Sequence, residues 1–268
     1  MSNQICHVVK KLRQYDPRMG TRKVHDLIKD ALDQRGIKIG RDKLFEVLRS
    51  AQLLVPRRKK HFFTTNSKHR FYKHPNRIKG LKITKPEQVW VSDITYVKSR
   101  TGNMYLSLIT DAFSRKIMGW HLASHLKATG PVEALKMALT NRKYPARKLI
   151  HHSDKGIQYC CDDYTGILTK QKIRISMTSK YDPYENAIAE RINGTIKNEF
   201  ELDGVFPTLD YAKREIAKTV YFYNTMRPHL SCKMHTPEAV HNNRNPNPIK
   251  LETKRKWESL LFNNFHFN

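Results

Sequence analysis

The first 55 residues carry apolar side chains at the spacing of one helix face, every three or four positions. The pattern is interrupted around Gly36 and Gly40, where a short link is expected. It predicts three helices, which we interpret as a helix-turn-helix-like module over 1–55. Any three-helix bundle gives this pattern, so its role depends on the rest of the chain. The apolar positions are Val8, Val9, Leu12, Val24, Leu27, Ile28, Leu32, Leu44, Val47, Leu48 and Ala51.

At Val89 the hydrophobic period changes from helical to alternating, which predicts a strand. Val89, Val91 and Val97 share one face with Asp93, and Trp90 takes the other. The sequence then predicts further elements in this order: two strands near 104–110 and 115–122, a helix from Pro131, a strand ending in "KLIHHSD", a helix near 162–172, a strand "IRISMTS" and a long helix.

The predicted order, βββαβαβα, is typical of a mixed sheet with helices on its faces. We therefore expect an α/β fold of ribonuclease H-like type, with a five-stranded sheet, over 86–240. The residues that follow, 241–268, are predicted to be a C-terminal tail, and the sequence assigns them no role.

Charge makes nucleic acid the expected partner. The chain has 50 Lys and Arg against 24 Asp and Glu, a formal net charge of +26, and a polyanion is what such an excess favours. A basic linker is predicted over 56–85, because residues 51–85 hold 11 Lys and Arg and no acid. It would lie along a phosphate backbone or act as a solvated tether. Its candidate phosphate contacts are Arg57, Arg58, Lys59 and Lys60.

The sequence shows no sign of export or of a membrane span. Its four cysteines have no C-x-x-C spacing, and no apolar run approaches the roughly 20 residues of a spanning helix. No signal peptide is recognised at the N-terminus. We expect a soluble, cytoplasmic protein associated with the bacterial nucleoid.

Two aspartates lie where strands are predicted to meet. Asp93 is in mid-strand on an apolar face, where an ionised carboxylate is costly without a partner, so it either forms a buried salt bridge or binds a cation. Asp154 follows the fourth strand directly in "HHSDKG", a sequence that also suits a simple turn. If the first and fourth strands are neighbours, the two carboxylates meet at one edge.

A third acid comes from the long helix. Ile188, Ile192 and Ile196 form its apolar stripe, and Glu190 projects away from it, with Lys197 two turns further along the face of Glu190. Exposed Glu and Lys are usually a solvated face. Together with the two aspartates, however, Glu190 completes a set of oxygen ligands suited to a pair of Mg²⁺ or Mn²⁺ ions that act on a phosphodiester.

The spacing and the surrounding sequence resemble a known family. Sixty residues separate Asp93 from Asp154, and 35 separate Asp154 from Glu190. This resembles the DD(35)E triad of retroviral integrases and bacterial transposases. The stretches "VWVSDITYV", "DAFSRKIMGW", "HHSDKGIQY", "YENAIAERINGTIKNE", "YNTMRPH" and "TPEAV" resemble, in order, the second-reading-frame product of IS3-family insertion-sequence transposases. The similarity covers roughly residues 17–240, most of the chain.

The resemblance implies that Asp93, Asp154 and Glu190 hold the metal ions and that Lys197 contacts DNA near the cut. Glu185 competes as the third ligand, since this chain has Glu185 where the family commonly has Asp. Its gap from Asp154 is shorter, which makes it second choice.

Other residues are candidates for support. His152 is expected to steady the Asp154 turn, whereas Gln158, Asn186 and Arg227 either support the site or tie loops together. In the N-terminal module the candidates are Arg22, Arg41 and Lys43, because the start of a recognition helix normally reaches the bases.

The expected activity is that of a DDE transposase: metal-dependent cleavage at the ends of an insertion element, then strand transfer by the freed 3′-OH. The expected partners are double-stranded DNA, further copies of the chain on that DNA, and a protein from the upstream reading frame, often fused to this one in the family. The alternatives are a DNA-binding protein without catalysis and a ribonuclease H-like nuclease or resolvase without strand transfer.

Overall fold

The computed structural model describes residues 2–56, 69–179, 186–202, 204–242 and 254–261. Contacts divide the chain into two compact units. The first holds the described residues before position 61, Asn198–Glu201 and those from Tyr221 onward, and the second holds those between 62 and Lys197 together with Leu202–Val220. Within the described residues, no helix has both the length and the apolar character that crossing a membrane requires. The domain boundaries stated above stay a prediction.

The first unit contains the three predicted helices. They are α1 (Ser2–Arg13), α2 (Thr21–Asp33) and α3 (Arg41–Ser50). Their apolar stripes face one another, and every predicted position except Ala51, which lies just beyond α3, is buried in one cluster.

Residues near the C-terminus complete this core. Residues 254–261 form a helix that buries Trp257 and Leu261 in the same cluster. The Trp257 indole N–H donates to the carbonyl of Met226 at 2.9 Å. This part of the predicted tail therefore stabilises the helical unit, a contribution that the sequence pattern does not predict.

The second unit is built on a mixed sheet. Its strands are β1 (Val89–Ser99), β2 (Gly102–Asp111), β3 (Ile117–Ala123), β4 (Ile150–Ser153) and β5 (Arg174–Met177), in the order β3-β2-β1-β4-β5. The first three are antiparallel, and β4 and β5 run parallel to β1. The ribonuclease H-like α/β fold is thus confirmed. One further strand, β6 (Val205–Phe206), pairs with the end of β1 and was not predicted.

Helices α4 (Thr129–Thr140), α5 (Ile157–Cys160), α6 (Asp162–Lys170) and α7 (Ala187–Glu199) follow in or mainly in the second unit, where α4, α6 and α7 pack on the sheet. Helix α8 (Leu209–Thr225) is divided between the two units, and α9 (Pro237–His241) lies in the first. The helix expected from Pro131 begins two residues earlier. It packs closely on β3 because Gly119 has no side chain: a Cβ there would lie 2.1 Å from the carbonyl oxygen of Ala134.

The alternation along β1 divides the core between the two faces of the sheet. Trp90 packs with α4 and α6 residues on one face. Val89 and Val91 pack with Ala189 of α7 on the other. Asp93 has the parity of Val91, so α7 covers the face that carries this carboxylate.

The segment predicted as a basic linker is described from residue 69 onward, and there it packs on the sheet. Phe71 joins the cluster around Trp90, and Ile78 and Ile83 join the cluster around Val91. Apolar side chains in a basic sequence thus anchor this part of the segment to the sheet, unlike a solvated tether, while its contact with phosphates stays a prediction.

Candidate active site

Strand register brings the two aspartates together. Parallel pairing joins Val91 of β1 to His152 of β4. Asp93 and Asp154 each lie two residues beyond this pair, so both lie toward the same edge of the sheet, and the charge of Asp154 acts on Asp93. The sequence interpretation of "HHSDKG" required these strands to be neighbours, and they are.

Helix α7 supplies polar groups to the same place. The Asn193 amide donates to a carboxylate oxygen of Asp93 at 2.7 Å, and the Asn186 amide donates to the carbonyl of Ser92 at 3.4 Å. Glu190 lies between them, three residues before Asn193, and residues at that spacing are neighbours on a helix surface. Glu190 is exposed, as its predicted direction away from the apolar stripe requires.

Asn193 is the functional candidate that sequence reasoning missed. It is buried within a helix, a position for which asparagine has poor propensity. That mismatch, three residues after Glu190, is the signal that could have found it.

Electrostatics at Asp93 are unfavourable to its charge. Burial and the neighbouring carboxylate of Asp154 raise the pKa of Asp93 to about 7, and Glu190 adds to this. The backbone N–H of Ile94 and the Asn193 amide oppose the increase. Among the described residues, no lysine or arginine charge affects the pKa of Asp93. The described residues therefore do not form the buried salt bridge that was considered for Asp93.

Asp154 occupies a turn as well as a strand end. One of its carboxylate oxygens accepts the backbone N–H of Gly156 at 2.9 Å. The side chain is half-buried, and its charge acts on Asp93. Both interpretations of this stretch therefore hold: the acid shapes its turn, and it stands beside a second acid.

The predicted supporting residues have varied surroundings. His152 is buried, and its Nδ1 lies 2.9 Å from the hydroxyl of Ser176 on β5. The Gln158 amide donates to the carbonyl of Leu126, a link between loops. Lys197 is half-buried, and burial together with the charge of Lys98 lowers its pKa.

Four candidates belong to the helical unit. Arg22 and Arg41 are exposed, and Arg41 pairs with Asp42. Lys43 pairs with Glu46, also at the surface. Arg227 is buried and donates twice to Glu199, at 2.7 and 2.8 Å. Arg57, Arg58, Lys59, Lys60 and Glu185 lie outside the described residues.

The donor chemistry fits a hard divalent cation. Asp93 and Asp154 offer oxygen ligands from neighbouring strands, and a cation between them would relieve the repulsion that raises the pKa of Asp93. In the described part of the chain, however, no group of three or more His, Cys, Asp and Glu side chains is arranged to hold a metal ion. The two aspartates therefore fit a divalent cation by their chemistry, but together with Glu190 they do not form a three-residue metal site in this structure.

Comparison with known proteins defines the class. Residues 83–183 and 171–237 match two families that are each described as an integrase core domain. A simian T-cell lymphotropic virus intasome, solved in complex with a PP2A regulatory subunit, matches with a TM-score of 0.51 and 17% identity over 85% of this chain and 75% of that one. At this identity the similarity concerns the fold, which is that of an integrase core.

Bacterial relatives define the family. The chain is 36% identical to an insertion element IS600 protein of 31 kDa from Shigella sonnei, over 82% of this chain and 80% of that one. It is 36% identical to the transposase InsF for insertion sequence IS3A from Escherichia coli K12, over 59% of this chain and 54% of that protein. The chain belongs to the IS3-family insertion-sequence transposases.

Proposed function

We propose that this chain catalyses DNA strand cleavage at the ends of an insertion element and then strand transfer. The carrying observation is the parallel register that sets Asp93 beside Asp154 under the helix that holds Glu190. Membership in a transposase family supports this assignment. A buried carboxylate whose main charged neighbour is another carboxylate is suited to a divalent cation rather than to a structural ion pair.

In the first reaction a water oxygen forms a bond to the phosphorus at the element's end. The bond from phosphorus to the 3′ oxygen breaks, and that oxygen leaves with a proton as a 3′-OH. In the second reaction this hydroxyl forms the new bond to a target phosphorus, and the target's own 3′ oxygen leaves. A pair of Mg²⁺ or Mn²⁺ ions held by these carboxylates would supply charge stabilisation for such displacements.

The residues of this chain have separate roles in the proposal. Asp93 and Asp154 hold the cation, Glu190 is the third ligand, and Asn193 orients the Asp93 carboxylate through its 2.7 Å hydrogen bond.

DNA is the proposed partner, held by the chain's positive charge of +26. Lys197 and Lys98 are close enough for each to act on the other, so they form a cationic spot near the end of β1. Two element ends have to be processed together, so we propose a multimer on DNA. A fusion with an upstream reading frame, or a separate protein from it, would contribute further end recognition.

The test is cleavage of labelled DNA that carries the element's ends, with and without Mg²⁺, by the chain alone and fused to the upstream frame. Glu190→Gln keeps the shape of the side chain and removes its charge. Glu133→Gln is the matched control, because Glu133 is an exposed helical glutamate paired with Lys136. Cleavage that needs Mg²⁺, persists in the control and disappears in Glu190→Gln supports the proposal.

Other outcomes point to other functions. Salt-sensitive DNA binding without cleavage in any form would leave a DNA-binding protein that lacks catalysis. Cleavage without any joined product would indicate a nuclease or resolvase.

A further inference from the structure

Residues 69–78, which we call the edge segment, run beside β5, contact the residue after Asp154 directly and are linked through Ser176 to His152 before it. The backbone N–H of Met177 on β5 donates to the carbonyl of Pro75 at 3.5 Å. The Arg77 side chain donates to the carbonyl of Ile175 at 3.2 Å. The edge segment thus covers an outer strand of the sheet, where backbone groups would otherwise face water.

On the upstream side, the edge segment is linked to His152 of β4 through Ser176 of β5. The backbone N–H of Arg77 donates to the Ser176 hydroxyl oxygen at 2.8 Å. That oxygen lies 2.9 Å from Nδ1 of His152. Because the oxygen accepts from Arg77, its own proton is available to His152, which precedes Asp154 by two residues.

On the downstream side the contact is direct. The Nε2 atom of His69 lies 2.7 Å from the carbonyl oxygen of Lys155, the residue after Asp154. A carbonyl oxygen only accepts, so His69 is the donor. The His69 ring also lies 5.9 Å from the ring of Phe71, which is packed against the core. The contact with Phe71 therefore also restrains the His69 ring.

The turn needs such support because the sheet does not provide it. Strand β4 ends at Ser153, so Asp154 and Lys155 lie beyond the ladder of hydrogen bonds. Within the turn, the Gly156 N–H and the Ser153 hydroxyl donate hydrogen bonds to Asp154, and His69 adds a contact from outside the turn. Residues that hydrogen-bond to a ligand's surroundings keep that ligand oriented.

We propose that His69 is a positioning residue for Asp154, and that the edge segment brackets this acid so that its carboxylate stays beside Asp93. The inference rests on the proposed role of Asp154 as a metal ligand. It assigns a function to a part of the chain that lies outside the acidic triad and was expected to be a linker.

The test measures Mn²⁺ binding to the full chain by calorimetry, without DNA, for wild type, His69→Ala, His69→Gln and Asp154→Asn. His69→Ala removes the donor and should weaken Mn²⁺ binding about tenfold. His69→Gln keeps an N–H within reach of the Lys155 carbonyl and should restore most of the affinity. His74→Ala is the matched control, a second histidine of the edge segment whose ring contacts Tyr72.

Two results would overturn the inference alone: His69→Ala binding Mn²⁺ as tightly as wild type, or His69→Gln binding as weakly as His69→Ala. Undiminished binding by Asp154→Asn would overturn the metal role of Asp154, and the inference with it. If His69→Ala melts too low to titrate, His69→Met fills similar space without a donor and gives the same comparison with His69→Gln.

Discussion

Each unit of this molecule contains a largely buried carboxylate on or beside α7, and the two are stabilised in opposite ways. Glu199 accepts two hydrogen bonds from Arg227 and one ion pair from Lys23 at 2.8 Å. Burial alone would raise the pKa of Glu199, but the charges of Arg227 and Lys23 outweigh burial and lower it. Asp93 has another carboxylate, Asp154, as its main charged neighbour, and its pKa is raised to about 7.

The difference distinguishes an acid with a structural role from the acid to which we assign a functional role in the proposed function. Glu199 has its counter-charges within the chain, so it needs nothing else to be stable as an anion. The anion of Asp93 is disfavoured by burial and by the charge of Asp154, and only the Ile94 N–H and the Asn193 amide favour it. A divalent cation supplies that help in the proposed function, and the comparison therefore identifies which acid to test.

Arg227→Met should have the largest effect on stability. It leaves the Glu199 charge buried without its main partner, and breaking a buried pair in this way costs about 3–5 kcal/mol in the free energy of unfolding. Denaturant unfolding measures the loss. Lys218→Met is the control, since Lys218 forms an exposed pair with Glu215 and should change stability by less than about 1 kcal/mol. Equal effects of the two substitutions would contradict the structural role of Arg227.

Asp93→Asn should have the opposite sign in metal-free protein. A carboxyl with a raised pKa contributes stability below its unfolded pKa of about 4, and this contribution is lost as pH rises through about 7. At pH 8 with a chelator, Asp93→Asn should therefore be more stable than wild type, by about 4 kcal/mol at most. The gain should shrink toward pH 5. A loss of stability at pH 8 would show that Asp93 is already neutralised within the chain.

Asn193→Ala should have a smaller effect, which we expect on DNA cleavage rather than on stability. It removes the 2.7 Å hydrogen bond that favours the charged form of Asp93, so DNA cleavage should fall about tenfold. The pKa of Asp93 should rise further, so activity should be lost at a higher pH as the solution is acidified. A pH–rate profile at limiting Mg²⁺ measures both. Asn141→Ala, which removes a hydrogen bond to Met118 at the end of α4, should leave the profile in place.

Lys197→Gln should have the smallest effect, on DNA binding. Losing one phosphate contact should weaken binding severalfold and lower the slope of log K against log salt by about 1. Fluorescence anisotropy over a KCl series measures the slope. Lys136→Gln, at an exposed ion pair with Glu133, should leave it unchanged. An unchanged slope for Lys197→Gln would remove this residue from the DNA interface.

The parts that could be predicted from sequence are those set by local pattern. Alternation along β1 placed Asp93 on the face of Val91, and helical periodicity placed Glu190 off the apolar stripe of α7. The neighbouring positions of Asp93 and Asp154 followed once β1 and β4 were expected to be adjacent in the sheet, as the register confirms.

The parts that could not be predicted depend on tertiary contacts. Strand β6 has two residues, too few for any periodicity. Trp257 and Phe71 lie in basic or polar stretches, and only the folded chain shows what covers them. Asn193 and His69 act through single hydrogen bonds, which leave no periodic signal in a sequence.

The most direct test of the central claim, that one carboxylate centre performs both reactions, starts from DNA whose end already has a free 3′-OH. Wild type should join this DNA to a target in Mg²⁺, and Asp154→Asn should neither cleave an intact end nor join the pre-cleaved one. Asp162→Asn, at an exposed aspartate of α6, should do both. Joining of the pre-cleaved end by Asp154→Asn at the wild-type rate would contradict the account.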